Sequence, residues 1–346
     1  MKTFINIGEK SLLGGAMDII VVELPNGHLR SSSFHVRFGS TQVLTSKNVN
    51  IYIYINGKKK DVRMKLAKSG DAYFSLDKVD QYILSQSNLK LPDDENNDYY
   101  YMNTNFKKFT EDKHCSLFPT EEQLLKMELK EGKNEVCFAT DTTLGGIQVL
   151  KTNLYFWKYN VKIILWDIDG TITRSDILGV ILPRIGINWS HDDVIELIDK
   201  MAKNGYKIIY LTARAIFQSE ATRKFLKNLE KNGIKLPDGP IIMDPDGLFS
   251  SFKKGIIERK QHMIKILSLL EIKNMFDMDI SNNNPIFYAG FGNKETDAIA
   301  YRYFGIPLTK IFIINHQSNV IQLGEKEKTT YSKLIESFDQ NFPKIE

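Results

Sequence analysis

Cysteine is almost absent from this 346-residue chain, which has two, Cys115 and Cys137. Two thiols so placed suggest neither a disulfide framework nor a zinc site, and they fit a reducing compartment. Long apolar runs are absent too. None approaches the ~20 residues that a spanning helix needs, so any membrane contact is expected to be peripheral. No basic region followed by a continuous apolar core opens the chain, so no signal peptide is expected. Charge of one sign is also scarce: 46 Lys and Arg stand against 42 Asp and Glu, a net +4. That mild basic bias reads first as solvated surface and second as weak attraction to an anionic surface. The length leaves room for about two domains.

What is present is an acidic run, Asp167-Ile168-Asp169-Gly170-Thr171. It follows a short apolar stretch, 161–166, that reads as a buried strand. Two carboxylates two residues apart, at a strand's C-terminal end, share a loop with a glycine and a hydroxyl. Phosphoryl transfer through an aspartyl-phosphate needs such a set: a carboxylate nucleophile, a second carboxyl to manage protons, and backbone N–H groups for the phosphate. The plainer alternative is an ordinary strand-to-loop turn, since Asp and Gly are common there.

The chain falls into two styles. Up to about residue 76 it reads as short strands. Residues 18–24 are apolar and lead into Pro25-Asn26-Gly27, a turn signal. Phe34, Val36 and Phe38 alternate with polar positions, as do residues 50–56, and Asn56-Gly57 marks a hairpin. Residues 60–66 and 72–76 continue the pattern. This predicts antiparallel β structure, a sandwich. Residues 86–113 turn polar and read as a linker; strands resume at 136–139 and 147–157. From 161 onward strand and helix alternate. Helices are predicted at 194–204, 219–231, 256–270 and 296–304, and strands at 206–211, 285–290 and 310–315. Such alternation argues a parallel sheet with helices on both faces, with ligands beyond the C-terminal strand ends. The polar groups there are Asp167 and Asp169, then Thr212-Ala213-Arg214, then the stretch from Asn293 to Asp297.

This set resembles the haloacid dehalogenase superfamily of phosphatases over 161–315. The resemblance sharpens in DIDGTITRSD (167–176), LTARAI (211–216), LPDGPI (236–241) and FGNKETD (291–297), which look like the lipin family. So does the N-terminal stretch: Asp18-Ile19-Ile20-Val21-Val22, Pro25-Asn26-Gly27, then Phe34 through Gly39. Lipins are magnesium-dependent phosphatidate phosphatases that make diacylglycerol. The resemblance implies a haloacid dehalogenase-like parallel sheet domain at 161–346. It also implies an immunoglobulin-like β-sandwich built from 1–85 and 114–160, with 86–113 as the linker between them.

It implies site residues as well. Asp167 is the expected nucleophile. Asp169 is expected to protonate the departing glycerol oxygen and then to deprotonate the hydrolytic water. Mg²⁺ is the expected cofactor, held by the Asp167 carboxylate, the Asp169 backbone carbonyl and the Asn293 side chain. Many superfamily members place Asp where Asn293 stands; Asn agrees with the lipin version and makes the site less negative. Gly170 and Thr171 belong to the phosphate-binding loop. Thr212, with Ala213 beside it, is expected to hold a phosphate oxygen. Lys260 lies where the superfamily lysine is expected, although Gln261 stands where relatives often have proline; Lys254 and Lys265 are the alternatives. Arg214 is either a clamp on the phosphate head group or a structural ion pair. Asp297 either bonds a metal water or orients the lysine, or is a first-turn helix acid.

A lipid substrate requires a membrane contact, and Phe4, Ile5 and Trp189 are the candidates, with core packing as the alternative for each. The expected partners are phosphatidate in membranes and an anionic lipid surface, with no nucleic acid. The expected location is the cytoplasm, reversibly at membranes, the endoplasmic reticulum by family resemblance, with the nucleus as an alternative. Residues 178–182 match a leucine motif that some lipins use in transcriptional coactivation, but the same spacing fits a buried helix face better. A lipid sensor without catalysis and a phosphatase for another monoester are further readings. The paired aspartates argue against the first, and the N-terminal stretch against the second.

Overall fold

The computed structural model describes residues 14–39, 49–67, 69–75, 115–142, 146–174, 190–191, 193–245, 254–276, 285–325 and 327–345. Phe4, Ile5, Trp189, the 178–182 motif and the 86–113 linker lie outside them. The chain is mixed α/β and divides into two compact units.

The first unit comprises 1–16, 33–130 and 134–151. Strand Asn50–Ile55 alternates half-buried and buried positions, with Ile51, Ile53 and Ile55 inward. It pairs antiparallel with Lys58–Leu66 on one side and with Gly132–Thr142 on the other. Asn56 and Gly57 both take positive φ, +50° and +79°. That is the backbone a two-residue hairpin turn requires, and the reason Asn-Gly serves there. Strands Ala72–Ser75 and Cys115–Ser116 extend this sheet antiparallel. Phe34 packs edge-on against Phe74 at 5.2 Å and Phe138 at 6.4 Å.

The second unit comprises 17–32, 131–133 and 152–346. The segments expected in the sandwich are 1–85 and 114–160, with 86–113 as a linker; 17–32, 131–133 and 152–160 of them fall in this second unit. Ile19–Glu23 pairs antiparallel with Leu29–Ser31, but parallel with residues 154–158 of the long strand Gly146–Lys158. A parallel partner from the centre of the chain is invisible to hydrophobic alternation alone, which is the same for either direction.

The main sheet of this unit has seven strands. They are β1 (Ile163–Asp167), β2 (Lys207–Ala215), β3 (Ile241–Asp244), β4 (Phe287–Gly292), β5 (Ile311–Ile314), β6 (Val320–Gln322) and β7 (Lys328–Thr329), in the spatial order β3-β2-β1-β4-β5-β6-β7. The first five run parallel and the last two antiparallel. Every residue of β1 is buried, so its unbroken apolar run is that of a central strand covered on both faces. The connecting helices are α1 (Val194–Lys203), α2 (Ser219–Lys227), α3 (Lys254–Phe276) and α4 (Glu295–Tyr303). Trp166, Phe291 and Phe312 stack across β1, β4 and β5, with centroids 3.9 and 4.5 Å apart and planes nearly parallel. Two of the three immediately precede polar strand ends, Asp167 and Gly292-Asn293, so the stack fixes where those ends lie.

Helix α2 is shorter than the expected 219–231. It ends at Lys227, and Glu230–Lys231 then pairs antiparallel with Ile234–Lys235. Asn232 and Gly233 sit at φ +54° and +77°, so this Asn-Gly is a hairpin turn rather than a helix stop. Strand β3 is an element the sequence did not announce: four residues are too few to show a period.

Candidate active site

The site is built where β1, β2 and β4 end, together with one face of α3. Asp167, the last residue of β1, is 7% exposed. Its Oδ1 accepts from Lys265 Nζ at 2.8 Å, and its Oδ2 accepts from Thr171 Oγ1 at 3.3 Å. The chain then turns sharply. Gly170 takes φ +85°, a conformation costly for any residue with a Cβ. Its N–H donates to Thr173 Oγ1 at 3.2 Å, while the N–H groups of Ile172 and Thr173 both reach Ile168 O at 3.1 Å.

Asp169 is turned toward β2. Its Oδ2 accepts from Thr212 Oγ1 at 2.7 Å, and its Oδ1 from Arg214 Nη2 at 2.7 Å and Nε at 3.2 Å. All three side chains are buried. Arg214 Nη1 is buried and has no hydrogen-bond partner among the described residues. Of the two roles open to Arg214, the geometry displays the ion pair. Its plane also lies over Phe225, with Cζ 5.7 Å from the ring centre.

Asp297, in the first turn of α4, is 3% exposed. Its Oδ2 accepts from the backbone N–H of Asn293 and of Lys294, each at 3.1 Å, and its Oδ1 accepts from Lys265 Nζ at 2.5 Å. The carboxylate thus folds the Asn293 loop over itself and offsets the orphan amides at the helix start. Gly292 permits this: a Cβ there would sit 2.5 Å from the Asp297 Cβ.

The lysine at the site is therefore Lys265, bridging Asp167 and Asp297. The expectation favoured Lys260, whose side chain lies outside the described residues. At 3.6 residues per turn, position 260 stands about 140° round the helix from position 265. A sequence signal for Lys265 exists. Leu269 and Ile272, four and seven residues on, are fully buried, so this lysine interrupts the apolar stripe of α3.

Burial pushes the Asp167 carboxyl up to about 7, against the opposing pull of Lys265 and with further repulsion from Asp297. Burial alone would lower Lys265, but Asp167 and Asp297 outweigh it and hold the ammonium well above the usual lysine range. Such displaced acids and bases, gathered at strand ends, mark a site rather than a packing accident.

These groups line a cavity of about 360 Å³. Asp167, Asp169, Thr212, Ala213 and Asn293 line it, and so do the apolar residues Ile242, Met243 and Ile264. The contribution of Ile242 and Met243 went unforeseen because it comes from β3.

The comparisons with known proteins fit this geometry. A family described as LNS2 (Lipin/Ned1/Smp2) matches residues 115–343, and a lipin N-terminal conserved region matches residues 1–92. This chain belongs to the lipin family. Among its relatives, phosphatidate phosphatase PAH1 of Arabidopsis thaliana is 42% identical over 226 residues, 65% of this chain and 25% of that protein. Nuclear elongation and deformation protein 1 of Schizosaccharomyces pombe is 41% identical over 230 residues, 66% and 34%. Human phosphatidate phosphatase LPIN1 is 40% identical over 225 residues, 65% and 25%. The part of this lipin that matches thus spans a quarter to a third of those relatives' length.

Proposed function

We propose that this lipin hydrolyses phosphatidate to diacylglycerol and phosphate through an aspartyl-phosphate on Asp167. The observation that carries the reading is the pair of carboxylates on one loop, with Lys265 on Asp167 and Thr212 on Asp169, all at one cavity, and Arg214 behind them on Asp169. Two of the three relatives named above are phosphatidate phosphatases, which supports the same substrate.

An Asp167 carboxylate oxygen attacks phosphorus, and the bond from phosphorus to the glycerol oxygen breaks. Asp169 gives that oxygen its proton, and later takes one from the water that cleaves the acyl phosphate. Both oxygens of Asp169 are occupied in the state described, so acting as an acid requires release from Arg214 or Thr212. Lys265 compensates negative charge as Asp167 and phosphate meet. Thr212, with the backbone at Ala213, and the Gly170-Thr171 turn are suited to the phosphate oxygens. Arg214, with Nη1 unpartnered, is suited to one as well.

The donor set fits Mg²⁺, a hard ion that takes oxygen ligands and keeps several waters. Asp167 offers its carboxylate and Asn293 its side chain at the cavity. The Asp169 backbone carbonyl accepts no hydrogen bond among the described residues. When bound, the ion would offset the repulsion between phosphate and carboxylate. Asp297 supports this arrangement by holding the Asn293 loop. We read the second unit as haloacid dehalogenase-like and the first as immunoglobulin-like. We place the reaction at the cytoplasmic face of a membrane, bound reversibly, because the proposed substrate is a lipid and the family resemblance implies that location. No described helix is long and apolar enough to cross a membrane.

The test is phosphate release from phosphatidate in mixed micelles, with and without Mg²⁺, beside a water-soluble phosphate ester. Mg²⁺-dependent release with preference for phosphatidate is expected. Efficient cleavage of the soluble ester with none from phosphatidate would assign another monoester.

A further inference from the structure

Two of the apolar residues that line the cavity, Ile242 and Met243, belong to an edge strand. Among the described residues β3 pairs with β2 on one side only, and successive amides of a strand point alternately to its two edges. On the outer edge the N–H groups of Ile241 and Met243 would be left for water or for another chain. Instead, side chains from the start of the sequence take both. Asp18 Oδ2 accepts from Ile241 N at 3.0 Å, and Met17 Sδ from Met243 N at 3.3 Å. Residues 223 and 226 positions apart thus replace a missing neighbour strand.

Asp18 is itself immobilised. It is fully buried. Its Oδ1 accepts from Thr152 Oγ1 at 2.8 Å, Asn153 N at 3.0 Å, Asn153 Nδ2 at 3.4 Å and Arg223 Nη1 at 3.1 Å. The two oxygens divide their work: one secures the aspartate, the other holds β3. A buried carboxylate is costly unless fully bonded, and an apolar side chain could fill the same volume. The bond to Ile241 is the one that reaches the cavity, because Ile242, Met243 and Asp244 line it.

We infer that Met17 and Asp18 are positioning residues that set the β3 wall, and that this wall seats the leaving-group side of the substrate. The second half rests on the phosphatidate reading. The polar residues that line the cavity suit phosphate, which leaves Ile242 and Met243 for the glycerol ester part. Both positioning residues lie in the segment matched by the lipin N-terminal conserved region, so that region contributes directly to the catalytic half.

The experiment uses the full chain with three substitutions. Asp18→Asn keeps one oxygen for the Thr152 and Arg223 cluster and turns a donor on the Ile241 amide. Met17→Leu keeps the volume and removes the sulfur acceptor, so it remains informative if Asp18→Asn folds poorly. Thr152→Val removes a bond to the other oxygen and serves as the control for lost stability. Hydrogen exchange at the Ile241 amide in Asp18→Asn, and at the Met243 amide in Met17→Leu, should quicken about tenfold or more. The KM for phosphatidate should rise about fivefold with kcat nearly unchanged, the signature of lost ground-state contact. Both constants for methyl phosphate, whose leaving group is too small to use that wall, should stay as they were, and Thr152→Val should lower the Tm and alter neither exchange at those amides nor KM. Unchanged exchange, faster exchange with unchanged KM, or an equal KM rise in Thr152→Val would each overturn the role. No release from phosphatidate by the native chain would remove the phosphatidate reading alone, and the exchange rates would still decide the positioning.

Discussion

In the second unit, Asp169 pairs with Arg214, and Asp167 and Asp297 share Lys265, all with little access to solvent. In the first unit, strand Lys58–Leu66 puts Lys58, Lys59, Asp61 and Arg63 outward and only Lys60, Val62 and Met64 inward. Lys60 pairs with Glu128, whose side chain is 74% exposed, so even that ion pair borders water. Alternation lets a sheet bury apolar area, worth about 25 cal/mol per Å², without desolvating ions. Burying an ion costs several kcal/mol and is only partly offset by a partner. Apart from Lys60 and Asp71, buried and paired with Glu128 and Arg37, the first unit is explained by packing. The second contains charges that packing would exclude, and their retention points to chemistry.

The largest effect that sharpens this contrast is catalytic. Asp167→Asn should lower phosphate release on the order of 10⁴-fold, as loss of a nucleophile does. The melting curve, followed by circular dichroism, should stay cooperative. Substantial Mg²⁺-dependent turnover in the folded variant would contradict an aspartyl-phosphate.

Lys265→Met comes next. It leaves Asp167 and Asp297 buried without their common cation, and breaking such a pair costs about 3–5 kcal/mol. Urea unfolding measures the loss, and activity should fall with it. Full stability would mean that the two carboxylates find another cation, and would weaken Lys265's assigned role.

Ile53→Ala is the counterpart in the first unit. Ile53 is fully buried on the inward face of its strand, and truncation should cost about 2–4 kcal/mol by lost burial and a residual cavity. Below its melting range, KM and kcat should match the native values. If both constants shifted, the first unit would have a part in the chemistry that packing does not explain.

The same contrast governs what could be read from the sequence. Asn50–Ile55 was legible because a strand's faces are set by residues two apart, and Asn56-Gly57 because a turn is a local event. The acidic loop was legible for the same reason: Asp167, Asp169, Gly170 and Thr171 lie within five positions. Lys265 was not, because it meets Asp167 from 98 residues away, and several lysines in one helix are equivalent until the buried face is known. Nor was the β3 wall, four residues long and held by Met17 and Asp18 from the far end of the chain. Arg214 was legible as a phosphate-suited residue, but its partner Asp169 emerged only when β1 and β2 lay side by side.

The smallest effect concerns protons and should separate the buried site from any surface cluster. Burial places the folded Asp167 carboxyl near 7, above its ordinary 3.8. Below about pH 7 it carries a proton that a cation must displace; above, it is an anion ready to bind. Mg²⁺ affinity should therefore rise with pH, by about tenfold between pH 6 and pH 8, and proton release on binding should shrink over that interval. Calorimetry in two buffers of different ionisation enthalpy measures both. In Asp167→Asn the pH dependence should vanish along with most of the affinity. A dependence that survives that substitution would move the titrating group elsewhere, and Asp297, sharing Lys265 with Asp167, would be the next to replace.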